Sequence, residues 1–139
     1  MDSLFIESTP VTPEVHFNPE TAIFEIKGIS MPEYADEFYK QLLDYIHEYL
    51  ATTANETTTL IFKFNYFNTG TSPAVEAILK AFEKNKPEKH EVKVKWYYET
   101  EDEDMKDLGE HYQNMTSLPV EIIASDETFY SPPEDASTE

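Results

Sequence analysis

The chain has 139 residues, 40% of them hydrophobic and 14% aromatic, with 28 acids against 10 bases and a formal net charge of −18. That length predicts one domain, and that charge argues against a nucleic-acid binder, which needs basic patches, and against an anionic membrane surface. The absence of cysteine excludes disulfides, thiol catalysis and Cys-based zinc sites.

The segment Met1 to Pro13 is acidic and proline-interrupted, unlike a signal peptide. No run approaches the roughly 20 apolar residues of a membrane helix. The chain is therefore read as cytoplasmic. Ser8 to Pro13 reads as an extended lead-in, because prolines bias the residues before them away from helix. Glu14 to Asn18 alternates around Val15 and Phe17, a short strand. Asn18-Pro19-Glu20-Thr21 reads as a turn, and Ala22 to Gly28 as a second strand, so the two predict a hairpin.

Ser30 and Glu33 match the capping-box spacing and predict a helix opening there. Phe38, Leu42, Tyr45, Ile46 and Tyr49 recur at helical intervals behind it, and the aromatics Tyr34, Phe38, Tyr39 and Tyr45 read mostly as core. Ala51 to Thr57 is a polar loop. Thr58 to Phe67 is β-branched and aromatic, a central strand. Pro73 to Asn85 is an amphipathic helix with Val75, Ile78, Leu79 and Phe82 inward. Glu91 to Tyr98 alternates as a half-buried strand. Glu101 to Met115 is an acidic helix, and Leu118 to Ala124 a last strand. Residues 126–139 are an acidic tail expected to be flexible, leaving 1–125 as the folded domain. The order ββ-α-β-α-β-α-β predicts a single-domain α/β fold with a mainly parallel mixed sheet and an antiparallel hairpin at one edge.

The most informative stretch is Tyr66-Phe67-Asn68-Thr69-Gly70-Thr71-Ser72-Pro73, where the central strand gives way to the second helix. Three hydroxyls and a glycine lie at a helix N-terminus, which offers unpaired N–H groups and the positive end of a dipole. A phosphate added there would bring charge and acceptors to a readable surface. The plainer reading is capping, with Thr71 or Ser72 serving the helix and Thr69 finishing a turn. Gly70 is expected to permit the turn, but the lysine and second glycine of a nucleotide-binding loop are missing.

His16, His47, His90 and His111 show no zinc-helix spacing, and no metal or cofactor site is read from them. Acid pairs such as Glu101 with Asp104 fall in runs, which are usually solvated faces, and a carboxylate-dependent hydrolase is only a distant alternative.

The chain resembles the SiaC-type regulatory phosphoproteins over roughly residues 5 to 125. The resemblance rests on Thr9 to Pro13, the acidic and aromatic helix Tyr34 to Leu50, the strand end Phe64-Asn65-Tyr66-Phe67-Asn68-Thr69, and Trp96-Tyr97-Tyr98 running into Glu99 to Asp104. It implies an architecture similar to anti-sigma-factor antagonists and a non-enzymatic, partner-switching role. It further implies a protein kinase that phosphorylates the threonine of the Asn-Thr pair, here Thr69, and a PP2C-type phosphatase that reverses this. The target it implies for the unphosphorylated form is a GGDEF-type diguanylate cyclase, met through Tyr66, Asn68, Gly70, Thr71 and Ser72. Where the family pattern has serines, this chain has Gly70 and Thr71, which leaves Thr71 and Ser72 as secondary acceptors. The competing reading is an interaction module that is never modified.

Overall fold

In the computed structural model, which describes residues 1–129, the period-two runs become strands of one six-stranded sheet. The elements are β1 (Leu4–Ile6), β2 (Glu14–Asn18), β3 (Ile23–Ser30), α1 (Ala35–Thr52), β4 (Thr57–Phe67), α2 (Thr71–Asn85), β5 (Glu91–Glu99), α3 (Glu103–Met115) and β6 (Val120–Ser125). The strands lie side by side in chain order. β1 to β3 form an antiparallel meander, and β3 to β6 run parallel. The expected α/β order is met, with β1 as an addition at the edge. Its three residues are too short to announce themselves against the prolines that follow.

Sequential parallel strands joined by crossovers of one hand place every helix on the same face. Paired residues point to the same side of a sheet, so the rows Phe24–Leu60–Val94 and Ile26–Phe62–Trp96 share that face. All six side chains are buried. Tyr49 of α1 meets the Phe24 ring at 4.6 Å, Phe82 of α2 lies at 6.1 Å from it, and Tyr112 of α3 meets Trp96 at 5.3 Å. The aromatic content noted in the sequence thus fills one core layer.

The first helix begins later than expected, at Ala35, with no side-chain cap at Tyr34. Ser30 is not its capping residue. It closes β3, fully buried, and its hydroxyl is engaged elsewhere. Tyr34, read as core, is 65% exposed. Asp102 caps α3 by accepting the Met105 N–H at 3.1 Å. Beyond β6 the chain stays close to the fold as far as it is described: Thr100 donates to Asp126 at 2.7 Å, and Phe129 is buried. The tail residues 130–139 lie outside the described residues. No helix among the described residues is long and apolar enough to cross a membrane.

Candidate functional site: the strand-to-helix turn after β4

β3 and β4 slip register between Gly28 and Ile29, so that Gly28 faces Phe64 while Ile29 faces Tyr66. Gly28 takes φ 114°, a conformation costly for any residue with a Cβ. Past the slip, Phe67 packs inward near Phe64 and Trp96, and Tyr66 stands 54% exposed. The ladder runs one residue further, because the Asn68 N–H donates to the Ser30 carbonyl at 3.0 Å. The chain then turns at Thr69-Gly70 and enters α2 at Thr71.

Asn68 fixes this turn. Its carbonyl accepts the Thr71 N–H at 3.0 Å, and its side-chain oxygen lies 3.2 Å from the same N–H. That is the work expected of an N-cap side chain. The capping readings of Thr71 and Ser72 therefore do not hold, since the residue at the N-cap itself, Gly70, has no side chain and the cap oxygen comes from Asn68. Gly70 adopts ordinary helical angles, φ −71° and ψ −21°. A Cβ there would meet Ala35 and Asn68 at an ordinary 3.7 Å, so its freedom is not what the turn requires.

Thr71 is fully buried. Its hydroxyl lies 2.9 Å from the Asn68 side-chain oxygen and 2.8 Å from Ser30 Oγ, which lies 2.7 Å from Tyr39 OH. Burial pushes the Tyr39 phenol up to about 12, against the lowering effect of the Ser30 hydroxyl, so it stays protonated. The Thr71 hydroxyl donates to the Asn68 side-chain oxygen at 2.9 Å or to the Ser30 carbonyl at 3.2 Å, and the Ser30 and Tyr39 hydroxyls continue the chain. A relay of buried hydroxyls ties α1, β3 and α2 to the turn, linking residues 41 positions apart.

Thr69 sits differently. It is exposed at the tip of the turn, between the strand end and the buried Thr71. Ser72 is half-buried and pairs with Tyr112 OH at 2.6 Å. The first turns of α1 and α3 carry Asp36, Glu37, Glu103 and Asp104, whereas that of α2 carries no acid. The positive end of the α2 dipole is therefore left uncompensated beside Thr69, a favourable place for an added anion. Exposed Tyr34 stands at the start of α1, whose Ala35 comes close to Gly70. Val11 is also exposed, and its carbonyl accepts the Met31 N–H just after β3. The turn thus lies at the edge where exposed apolar side chains gather, a common makeup for a protein contact.

The remaining candidates separate from this site. His16, His47 and His111 are exposed, and no group of three or more His, Asp or Glu suited to a metal is found among the described residues. His90 is buried in a second relay, with Nε2 2.7 Å from the Thr58 hydroxyl and Nδ1 2.7 Å from the Asn55 carbonyl. Tyr49 OH completes that relay at 2.8 Å from Thr58. Neither relay is legible in the sequence, since their partners are far apart along the chain.

The raised Tyr39 value predicts an alkaline weakness. A phenol with a raised folded pKa leaves stability intact below its ordinary value of 10 and loses it as pH climbs toward about 12. Stability should fall by about 2–3 kcal/mol over that window, and Tyr39→Phe should remove that part of the slope in urea titrations at pH 9 to 12. At neutral pH the same variant should cost only about 1 kcal/mol, one net hydrogen bond.

A one-sided α/β sheet with an exposed threonine at a braced strand-to-helix turn defines the fold class, a small single-domain α/β protein. The family model of the SiaC family regulatory phosphoproteins matches residues 6–125. The chain belongs to that family. It is 28% identical over 127 residues, 91% of this chain and 100% of the relative, to an uncharacterized protein of Pseudomonas aeruginosa (strain UCBPP-PA14). It is also similar to the crystal structure of apo-SiaC from Pseudomonas aeruginosa, with TM-score 0.76, 26% identity, and coverage of 89% of this chain and 100% of that one. A second similar fold, with TM-score 0.73, 24% identity, and 88% and 99% covered, comes from the crystal structure of the diguanylate cyclase SiaD in complex with its activator SiaC from the same organism.

Proposed function

We propose that this protein is a non-enzymatic cytoplasmic regulator, reversibly phosphorylated on Thr69, that binds its target when unphosphorylated. The observation that carries this reading is the contrast within one turn. Thr71 is fully buried and hydrogen-bonded, Ser72 is tied to Tyr112, and Thr69 stands exposed beside an α2 N-terminus with no acid in its first turn. A kinase needs an accessible hydroxyl, and Thr69 supplies it without dismantling the relay. The family is one of regulatory phosphoproteins, which supports the same reading. A dedicated protein kinase and a PP2C-type phosphatase set the state.

The target is a GGDEF-type diguanylate cyclase, which makes the protein a regulator of cyclic di-GMP. Support comes from SiaC of Pseudomonas aeruginosa, described as the activator of the cyclase SiaD. Tyr66, Asn68, Gly70, Thr71 and Ser72 frame the contact, the buried Thr71 by holding the turn in shape. Phosphorylation releases the cyclase, because a dianion in a desolvated contact costs several kcal/mol unless a cation meets it.

The test is peptide mapping by mass spectrometry of the protein purified from its own cells. Lys63 and Lys80 bracket a single tryptic peptide that holds all three hydroxyls. Phosphate on Thr69, removed by a PP2C-type phosphatase, is expected. Phosphate on Ser72 instead, or none in any growth state, would contradict the proposal.

A further inference from the structure

We infer that the helix-free face of the sheet is a two-fold contact between two copies of this chain. Parallel sheets are generally covered on both faces. Here β3 to β6 are parallel, and α1, α2 and α3 pack on one face alone. The other face is built from the alternate residues of each strand. One row runs His16, Glu25, Ile61, Lys95, Glu121, and the next runs Glu14, Lys27, Lys63, Tyr97, Ile123. Ile23 at 44% exposure and Phe5 at 56% extend its apolar content.

Charge points to a second copy as the occupant. The chain carries −18 overall, so most of its surface repels another copy. This face does not. Lys27, Lys63, Lys93 and Lys95 stand against Glu14, Glu25, Glu91, Glu99 and Glu121, four bases to five acids, so the face is close to neutral. Lys63 is already drawn to Glu25 at 3.2 Å and lies over the Tyr97 ring at 4.9 Å, and Lys27 reaches Glu14 at 3.9 Å. A strongly basic or strongly acidic partner gains nothing from such a surface.

The face is complementary to itself except at Lys63, which meets the second copy's Lys63 on the axis and is neutralised there by Glu25 of its own copy at 3.2 Å. A two-fold axis parallel to β4 sets Ile61 against Ile61 and lays β5 of one copy over β3 of the other. Because Glu25, Ile61 and Lys95 share a row, Lys95 then meets the second copy's Glu25, and Tyr97 meets its Lys27. Sheets pack in this aligned manner about 10 Å apart. Six strands spaced about 4.8 Å apart, with about seven or eight residues each, give roughly 600 Å² per copy. That total suits a reversible dimer rather than an obligate one. The axis runs along the strands, so both Thr69 turns emerge at the same end and stay free.

Sedimentation equilibrium of the full chain from about 1 µM to about 1 mM tests this, a range that spans weak to moderate affinities. A reversible dimer is expected. Ile61→Lys should weaken it at least about tenfold, near 1.4 kcal/mol, while Gln41→Lys on the exposed side of α1 should leave it unchanged. Glu25→Lys and Lys95→Glu should each weaken it, and the two together should restore it, which separates loss of contact from loss of fold. A monomer across the whole range would overturn the inference. So would a dimer indifferent to Ile61→Lys, or one broken equally by Gln41→Lys.

Discussion

Gly109→Ala is expected to destabilise this protein by about 3 kcal/mol, opposite in sign to what helix propensity alone predicts. Alanine is favoured over glycine in a helix interior by about 1 kcal/mol. Gly109 lies in the middle of α3, but it faces inward and is buried. A Cβ there would collide with Trp96 Cδ1 and stand 2.8 Å from its Nε1. The indole has nowhere to go. It is 1% exposed, donates Nε1–H to the Met105 carbonyl at 2.9 Å, and is flanked by Phe62 at 5.3 Å and Tyr112 at 5.3 Å. The helix must lift instead, at an overpacking cost at or above the usual 1–3 kcal/mol. Thermal denaturation should show a midpoint lower by roughly 10 °C. Adding Trp96→Phe should recover part of the loss, because the smaller ring vacates the space the methyl needs. A midpoint raised by Gly109→Ala would mean that α3 does not sit on Trp96 as described. Lifting α3 also withdraws Tyr112 from Ser72, so the same variant should disturb the turn that carries Thr69.

Thr69→Asp should weaken binding of the proposed diguanylate cyclase target at least about thirtyfold relative to Thr69→Ala, equivalent to roughly 2 kcal/mol. Thr69 is exposed at a convex turn, so neither variant should change stability by more than about 0.5 kcal/mol. The binding difference would then report the contact and not the fold. Aspartate carries one charge where phosphate carries nearly two, so the true modification should act more strongly than its mimic. Thr71→Val makes the contrasting control. It leaves the buried Ser30 hydroxyl without its Thr71 partner, while Asn68 keeps the backbone N–H of residue 71, and should cost about 1–3 kcal/mol of stability. Equal binding by Thr69→Asp and Thr69→Ala, measured by isothermal titration, would remove the turn from the target contact.

How much of this was legible in the sequence follows from the range of the interactions involved. β2 and the alternation of β5 stand where the sequence reading put them, because one covered face imposes a period of two on any strand. The sheet order follows from the alternation of strands with single helices. The turn after β4 was visible as a break in that alternation, marked by Asn68 and Gly70. The start of α1 was misread because Ser30 and Glu33 have local capping spacing, while the true partners of Ser30 are Tyr39 on the next helix and Thr71 across the fold. The exposure of Tyr34 was misread for a related reason, since an aromatic beside a helix carries no mark of which way it faces. Gly109 was silent: one glycine in a helical run does not disclose an indole packed against it. Among three neighbouring hydroxyls, the difference between Thr69, Thr71 and Ser72 is one of burial, which only the folded chain defines.

The most direct measurement is a titration of diguanylate cyclase activity with two preparations of the full chain, one unmodified and one quantitatively phosphorylated on Thr69. Saturable stimulation by the unmodified protein is expected, with little or none by the phosphorylated form at the same concentrations. Equal stimulation by both, or stimulation by the phosphorylated form alone, would contradict the proposed function.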